Sequence, residues 1–258
     1  MSSSRRKLTT SAVASICSLI ASTAGAQTML KASHQFPGAK GDIRDEIVQL
    51  IAREVEAENV ALEIQVFPGS SFYKSNDQWN AVTRGRLDMP SFPLDYASGR
   101  HPEFSATLMP GLVGNFDRAM RLNDSEFMGD IKKVIENAGA LVIAEGRLSG
   151  AFASKMNCIT SPDTIKGQVI RAAGPAFEGM LVEAGASISS MPSPGIYTGM
   201  QTGVQDAANT STASFVWYRP FEQAKCLTTE EQQKTIIAAG EKAEVCSGAP
   251  FPSSAIRG

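Results

Sequence analysis

The first part of the chain alternates between two spacings of apolar residues. Residues 41–59, GDIRDEIVQLIAREVEAEN, place apolar side chains every three or four positions, which predicts a helix that Asp42 can cap. A short strand running into a Pro-Gly turn precedes this helix, and a second strand, in which Leu62, Ile64 and Val66 alternate with polar residues, follows it. Another helix is predicted for residues 76–88. The order strand, helix, strand, helix indicates a parallel-sheet α/β fold.

The second half of the chain repeats this order. A strand is predicted at residues 167–173, GQVIRAA, and a helix at residues 176–186. A further strand in SISSMPSPG and a helix in IYTGMQTG complete the repeat. In both halves the last helix closes in Gly-x-x-Asp, at Gly85 to Asp88 and at Gly203 to Asp206. Two lobes of like construction are therefore expected.

The first 26 residues have the parts of an export signal. Arg5, Arg6 and Lys7 precede an uncharged, moderately apolar run, which ends in the small residues of a cleavage site at Ala24 and Ala26. The run is too short and too rich in Ser and Thr for a stable membrane span. Its paired arginines also fit a twin-arginine signal, so two export routes stay open.

The charge of the mature chain bears on its partners. Removing the signal takes away three of the 24 basic residues and none of the 26 acidic ones, which leaves a net charge of −5 over 232 residues. A negative chain argues against a nucleic-acid-binding surface. No later stretch is apolar over the length of a membrane helix, so the exported chain is expected to be soluble. Its length suits two small lobes or one larger domain.

Three cysteines remain beyond the signal, and three cannot all pair within one chain. Cys158, in KMNCIT, and Cys226, in QAKCLT, each stand before an apolar-Thr step at the edge of a predicted element. They are the candidates for a disulfide in an oxidising compartment, with two buried free thiols as the alternative. Cys246 is left over.

Common motifs of catalysis and cofactor binding are absent from the sequence: His-Glu-x-x-His, Gly-x-x-x-x-Gly-Lys, Gly-x-Ser-x-Gly and Cys-x-x-Cys. His34 and His101 lie in predicted loops, where a general base can sit, with Asp42 or Asp95 as carboxylate partner. A lone loop histidine is more often a solvated or capping residue than a catalyst. We therefore expect no catalytic residue, metal or cofactor, and keep a periplasmic enzyme built on His34 or His101 as an alternative.

Two long stretches carry a family resemblance. SPDTIKGQVIRAAGPAFEGMLVEAGAS and MPSPGIYTGMQTGVQDAAN resemble the substrate-binding proteins of tripartite ATP-independent periplasmic (TRAP) transporters, the DctP-like family. Shorter motifs match the family in the same order: LKASHQFPG, VFPGSSF, GRLDM, PEFSATLMPGLV, FDRAMRL and FEQAKCLT. One motif alone would be weak evidence, whereas this many in register are specific.

The resemblance implies an α/β fold with two lobes, of the type II periplasmic-binding-protein kind, in which mixed sheets are flanked by helices and the ligand cleft lies between the lobes. It divides the chain into a signal at 1–26, a first lobe at 27–146 and a second lobe at 147–226. Residues 227–258 would form a shortened C-terminal helix that returns to the first lobe, followed by a disordered tail. The strand-like stretch 139–155, with glycines where it bends, connects the lobes.

The resemblance also implies a function. Such a protein captures a small organic acid, here a monocarboxylate or a dicarboxylate, in the periplasm and delivers it to the membrane permease subunits of a TRAP transporter. We expect a monomer with no nucleic-acid partner.

Arg171 is the residue to which the resemblance assigns the main role. It stands among apolar and small residues in IKGQVIRAAG and matches the family arginine that ends the KGxxIR strand and binds the substrate carboxylate. A guanidinium offers a planar fork for two carboxylate oxygens, and it stays charged at neutral pH. Without the resemblance, a surface arginine at a strand edge would be the alternative.

Other cleft positions are expected from the same resemblance. Asn209, in VQDAANTS, supplies an amide that can bind a hydroxyl or keto oxygen, although it can equally cap its own turn. Arg147, in EGRLSG, lies near the place where some members have a second arginine. The remaining candidates belong to regions that face the cleft or to aromatics that can stack on a ligand; they are His34, Gln35, Ser91, Phe92 and Trp217.

The sequence departs from the family after Thr228. Members continue from KCLT into an apolar strand that crosses to the first lobe, whereas TEEQQKTIIAAGEKA follows here at once. The tail EVCSGAPFPSSAIRG is rich in Pro, Gly and Ser and is expected to be disordered. Loss of a buried strand removes several kcal/mol from a total stability of about 5–15 kcal/mol. A poorly folding remnant that transports nothing is therefore the second alternative.

Overall fold

The computed structural model describes residues 27–228. The predicted signal at 1–26, and the predicted helix, tail and Cys246 beyond residue 228, lie outside the described residues. The described chain forms two α/β lobes, one built on a three-stranded sheet and one on a five-stranded sheet, as the resemblance implies. The lobe boundary at residue 146 stays a prediction. No helix among residues 27–228 is long and apolar enough to cross a membrane.

The sheet of the first lobe is parallel throughout. Its strands are β1 (Thr28–His34), β2 (Leu62–Phe67) and β3 (Met89–Ser91), in the order β2–β1–β3. Helices α1 (Ile43–Ala57) and α2 (Gln78–Thr83) connect them in turn. The predicted order of elements is confirmed, because each helix returns the chain so that the next strand runs parallel to the last.

Helix caps follow the sequence signals. Asp42 caps α1, since its carboxylate accepts a hydrogen bond from the backbone N–H of Arg44 at 3.0 Å. Asn115 and Ser125 cap two further helices in the same way. These helices are α3 (Phe116–Asn123) and α4 (Glu126–Asn137). They enclose the core of the first lobe, whose buried members are Trp79, Ala97, Phe104, Met128, Ile131 and Ile135.

The sheet of the second lobe is mixed, in the order β6–β5–β7–β4–β8. Its strands are β4 (Gly150–Ser154), β5 (Val169–Ala172), β6 (Ser187–Ser190), β7 (Ala207–Ser211) and β8 (Cys226–Thr228). β5 runs parallel to β6 and β7, whereas β4 runs antiparallel to β7 and β8. The helices of this lobe within the described chain are α5 (Pro175–Glu183), α6 (Ile196–Gln201) and α7 (Thr212–Trp217).

The connector between the lobes differs from the prediction. Of the strand-like residues 139–155, only Gly150–Ser154 pair in a sheet. Leu141 and Ile143 leave 77% and 66% of their surfaces exposed. Within the part of the chain that the structure describes, no neighbouring strand hydrogen-bonds to residues 140–149. The extended apolar pattern was therefore insufficient, because a strand also needs a partner for its backbone groups.

The two Gly-x-x-Asp motifs have the same structure in both lobes. Asp88 accepts a hydrogen bond from the backbone N–H of Lys31 at 2.8 Å and returns its own N–H to the carbonyl of Lys31 at 3.2 Å. Asp206 does the same with Val169, at 2.9 and 2.8 Å. Each aspartate thus ties the loop after a helix to a strand, at Lys31 in the middle of β1 and at Val169, the first residue of β5. The Gly-x-x-Asp motif therefore recurs in the sequence because it makes the same contacts in both lobes.

A disulfide joins Cys158, in the loop after β4, to Cys226 in β8. The two Cα atoms lie 5.2 Å apart, and 68 positions separate them in the sequence. Closing a loop of this length stabilises the folded state by about 4 kcal/mol in the chain-entropy model. The bond anchors the last described strand to the body of the second lobe.

Candidate functional site

Arg171 lies in the second lobe on the side that faces the first. It is the third residue of β5 and pairs with Ser189 of β6 and Ala208 of β7. Its neighbours Ile170 and Ala172 belong to the hydrophobic core. Because side chains alternate along a strand, Arg171 points to the opposite face of the sheet. Even so, its side chain is completely buried.

Four hydrogen bonds hold the guanidinium group of Arg171. Nε donates to the carbonyl of Met191 at 2.8 Å, and Nη1 donates to the carbonyl of Asn209 at 2.8 Å. Nη2 donates to Ser193 Oγ at 3.3 Å and, across the lobe interface, to the hydroxyl oxygen of Tyr96 at 3.1 Å. All four acceptors are uncharged. Among residues 27–228, no carboxylate lies within 4 Å of Arg171.

This arrangement gives Arg171 four hydrogen bonds without neutralising its charge. Arginine cannot lose its proton in a protein, so burial leaves a full positive charge in a medium of low dielectric constant. An anion placed beside it would recover much of the desolvation free energy. A guanidinium has five N–H groups, and at most four are used here, so Nη1 keeps one for a ligand.

Tyr96 lies in the turn Leu94–Ala97 of the first lobe. Its hydroxyl oxygen accepts a hydrogen bond from the backbone N–H of Ser193 at 3.2 Å in addition to the one from Arg171. Burial by itself would raise the pKa of Tyr96. The positive charge of Arg171 and hydrogen bonds from Ser193 and Gln35 outweigh burial, so the pKa lies below its ordinary value. The surroundings of this oxygen thus favour negative charge.

Asn209 lies beside Arg171 in β7 and is almost fully buried. Its carbonyl accepts from Arg171 Nη1, while its side-chain Nδ2 donates to the carbonyl of Ala151 at 3.4 Å. The side chain therefore makes one long hydrogen bond within its own sheet. Its expected role as a ligand-binding amide stays a prediction.

Further contacts join the lobes beside this site. The hydroxyl of Tyr218 donates to the carbonyl of Gln35 at 2.9 Å. Arg44, at the start of α1, donates to Ser214 Oγ of the second lobe at 2.9 Å. It is held by Asp42, whose two carboxylate oxygens accept from Nε at 2.8 Å and from Nη2 at 2.6 Å. The charge of Arg44 is thus neutralised within the first lobe, unlike that of Arg171.

His34 is the last residue of β1, not part of a loop as predicted. It is completely buried, and its Nε2 lies 3.0 Å from Asp45 Oδ1. Asp45 rather than Asp42 or Asp95 is thus its carboxylate partner. Burial lowers the pKa of His34, although the charge of Asp45 opposes that shift. A buried histidine stacked on Phe36, with ring centroids 5.6 Å apart, has the position of a structural residue.

Two predicted site residues and His101 lie in or beside the core of the first lobe. Phe92 packs on Trp79 with ring centroids 6.2 Å apart, and His101 packs edge-on against the same ring at 5.2 Å. Ser91 ends β3 and pairs with His34. Packing on Trp79 within the first lobe therefore accounts for the aromatic rings of Phe92 and His101.

Trp217 and Arg147 have other contacts than Arg171. Trp217 ends α7 and packs on Gly41 of the first lobe, with Cη2 3.6 Å from the position that a Cβ on Gly41 would take. Arg147 donates from Nε to Asn123 Oδ1 at 2.9 Å, and its buried Nη2 finds no acceptor among the described residues. Of the predicted set, Arg171 and Asn209 share a hydrogen-bond network, and Gln35 accepts from Ser75 and Tyr218.

Tyr96 and Ser193 complete this network, and sequence reasoning missed both. Tyr96 is adjacent to Asp95 in the segment after LDMP, and Ser193 lies in the MPSPG motif, so both regions were recognised without the residues. Tyrosine and serine carry no distinctive spacing signal. Among residues 27–228, no three His, Cys, Asp or Glu side chains cluster as metal ligands would.

A comparison with protein families decides the assignment. The model of bacterial extracellular solute-binding protein family 7, DctP, matches residues 39–238, which is more than half of the chain. The chain belongs to this family. The resemblance recognised from the sequence motifs is confirmed.

A solute-binding protein of Albidiferax ferrireducens is 40% identical to this member of family 7 over 213 residues, which are 81% of this chain and 63% of that protein. This chain therefore spans less than two thirds of the length of that relative.

Solved structures show the same fold. A TRAP periplasmic solute binding protein from Rhodoferax ferrireducens, crystallised with bound malonate, is 33% identical with a TM-score of 0.74, over 82% of this chain and 76% of that chain. A TRAP periplasmic solute binding protein from Sulfitobacter sp. NAS-14.1, with bound β-D-galacturonate, is 19% identical with a TM-score of 0.72, over 83% of this chain and 78% of that chain. At 19% identity the likeness concerns the fold alone.

Proposed function

We propose that this protein is an extracytoplasmic solute-binding protein of a TRAP-type transporter and captures a small organic acid between its lobes. The observation that carries the proposal is Arg171, a fully buried cation whose four hydrogen-bond acceptors are all uncharged. The ligand carboxylate supplies the missing negative charge. Malonate in the relative from R. ferrireducens supports this class of ligand.

Because Arg171 is buried, its ion pair with a ligand carboxylate can contribute enough free energy for micromolar binding. Micromolar binding requires about −8 kcal/mol, whereas an exposed ion pair contributes at most about 1 kcal/mol. A pair shielded from water between two lobes is screened far less. Because the segment of the first lobe that carries Tyr96 lies against Arg171, lobe closure and shielding of the cation occur together. Ligand binding is therefore expected to shift the protein towards a closed conformation.

The proposal includes location and partners. The predicted signal directs the chain to the periplasm, where the closed, loaded form would dock on the membrane permease subunits of the transporter. A monomer suffices, since one chain contributes both lobes of the site. The protein would act as a receptor without catalysing a reaction: His34 is buried against Asp45, and His101 packs on Trp79.

The test is a thermal melt of the chain from residue 27 onward against a panel of organic acids that includes malonate, lactate and galacturonate. A ligand present at 100 times its Kd stabilises the native state by about 2.7 kcal/mol, which raises Tm by roughly 5–10 °C in a protein of this size. Arg171→Met removes the charge while keeping most of the side-chain volume. We expect it to abolish the rise in Tm.

Two control variants sharpen this test. Arg171→Lys keeps the charge but loses the planar fork, so a reduced rise is expected. Arg53→Met changes an arginine whose side chain is 59% exposed, and it should leave the rise intact. A rise that persists in Arg171→Met would contradict the proposed site. A cooperative melt that no acid shifts would contradict the function, and the lack of any cooperative melt would favour the poorly folding remnant.

A further inference from the structure

We propose that the hydroxyl oxygen of Tyr96 occupies the subsite of one ligand carboxylate oxygen and is displaced when the ligand binds. Tyr96 would then be an internal competitor that sets the affinity of the site. The inference rests on the proposed function and deepens it, because it names the donors that one ligand oxygen meets: Arg171 and Ser193.

Two donors converge on the Tyr96 oxygen. Arg171 Nη2 lies 3.1 Å away, and the backbone nitrogen of Ser193 lies 3.2 Å away. One of these donors carries a full positive charge. A carboxylate oxygen forms shorter and stronger hydrogen bonds with such a set than a neutral phenol does. The lowered pKa of Tyr96 agrees with this preference.

The donor set is formed without a contribution from the ligand. Ser75 Oγ donates to Gln35 Oε1 at 2.7 Å, which holds the Gln35 amide in place beside the site. Gln35 and Ser193 are both buried, so their positions are set by packing. Preorganised donors of this kind lose little entropy when an anion binds.

The geometry of the guanidinium points to the same subsite. A carboxylate that binds end-on takes one N–H from Nη1 and one from Nη2. Nη1 donates to Asn209 and has a second N–H, but Nη2 already donates to Tyr96 and Ser193. Ser193 belongs to the same lobe as Arg171, whereas Tyr96 comes from the other lobe. Tyr96 is therefore the acceptor that a ligand can replace without rearranging the second lobe.

Competition by Tyr96 and direct contact of Tyr96 with the ligand predict opposite changes of Kd in Tyr96→Phe. If Tyr96 competes with the ligand, Tyr96→Phe removes the competitor and malonate, or the acid selected by the panel, binds more tightly. We expect Kd to fall about fivefold, the factor that one net hydrogen bond contributes. If Tyr96 instead donated to the ligand, Kd would rise.

The experiment measures Kd by isothermal titration calorimetry for the wild type, Tyr96→Phe and Tyr96→Leu. Tyr197→Phe is the matched control, because the hydroxyl of Tyr197 accepts from Gln223 Nε2 at 3.3 Å within the second lobe; its Kd should equal that of the wild type. A thermal melt of each variant without ligand confirms that it is folded. The two Tyr96 variants should agree in direction, so a folding defect in one does not decide the result.

The outcomes separate this inference from the proposed function. A lower Kd in the Tyr96 variants supports both. An unchanged or higher Kd, with binding still lost in Arg171→Met, overturns the role of Tyr96 and leaves the carboxylate site standing. If neither the wild type nor the Tyr96 variants bind any acid of the panel, both proposals fail together.

Discussion

The carboxylate of Asp95 in the first lobe lies directly against Gly174 in the second. Asp95 Oδ2 occupies the position that a Cβ on Gly174 would take, so the contact exists only because residue 174 has no side chain. Gly174 also has a φ of 139°, in a region that L side chains rarely adopt. It is the N-cap of α5 and lies three residues beyond Arg171. The close approach of the lobes is thus built into the segment that carries the binding cation.

Gly174→Ala should therefore oppose closure. The added methyl group meets Asp95 and strains the backbone, so we expect ligand affinity to fall at least tenfold while the separate lobes stay folded. Calorimetric titration with the selected acid measures this change. Gly179→Ala in the same helix is the control, because open space surrounds Gly179; it should leave Kd unchanged and stabilise α5 by up to about 1 kcal/mol. Equal effects of the two variants would contradict the steric account.

Asp95 makes stability depend on pH. It is 1% exposed, and neither carboxylate oxygen makes an aligned hydrogen bond with a described residue. Burial raises its pKa to about 6, and the charge of Glu178 on α5 adds to the rise, while the hydroxyls of Ser105 and Ser98 oppose it. Glu103, in the turn Pro102–Leu108, is exposed. The folded state therefore binds the proton more tightly than the unfolded state, and stability falls as pH rises through about 6.

Asp95→Asn should remove this dependence. Above pH 7 the variant avoids a buried negative charge and should be more stable than the wild type by up to about 3 kcal/mol, whereas below pH 4 the two should be nearly equal. Thermal melts between pH 4 and pH 8 measure the difference. Asp124→Asn, at an exposed position, should shift Tm equally at both ends of the range. A stabilisation by Asp95→Asn that is greatest at low pH would contradict the assignment.

The disulfide between Cys158 and Cys226 should contribute strongly to stability. Replacing both residues by serine opens a loop of 68 positions and should lower stability by about 4 kcal/mol. Chemical unfolding in denaturant measures this loss. Reducing the wild type should produce a similar loss, and the double variant should not respond to reductant. A wild type that is equally stable in both redox conditions would contradict the bond.

The two equivalent aspartates should differ in their contribution. Asp206→Ala leaves the N–H of Val169 without a partner in a partly buried setting and should cost about 1–2 kcal/mol. Asp88→Ala removes the same hydrogen bond at an exposed position, where water can replace it, and should cost less than about 1 kcal/mol. Unfolding curves of the two variants give the comparison. Equal losses of stability would show that burial does not determine how much each aspartate hydrogen bond contributes.

Local patterns predicted the elements well where the element depends on its own residues. The periodicity of residues 41–59 and the cap at Asp42 gave α1, because a helix pairs its backbone groups internally and its first turn needs only a side-chain acceptor. The same reasoning was wrong for residues 140–149. Their apolar run resembles a strand, but strand pairing depends on a neighbour that local sequence does not specify.

The residues of the binding site also differ in whether local sequence predicts them. Arg171 was predicted because a strand carrying one arginine between glycines is visible in the sequence and matches a family motif. Tyr96 and Ser193 stand 75 and 22 positions away from it and have no spacing that links them. Their roles follow only from the approach of one lobe to the other.

The sequence by itself determined the order of strands and helices, the repeated Gly-x-x-Asp construction and the presence of one arginine at the end of a buried strand. These features depend on the spacing of neighbouring side chains and on backbone preferences, which act over a few residues. The tertiary structure alone decided that Arg171 is buried without a counter-ion, that Tyr96 holds its Nη2, and that Asp95 rests on Gly174. Such contacts join residues far apart in the chain, and they form only when the two lobes come together.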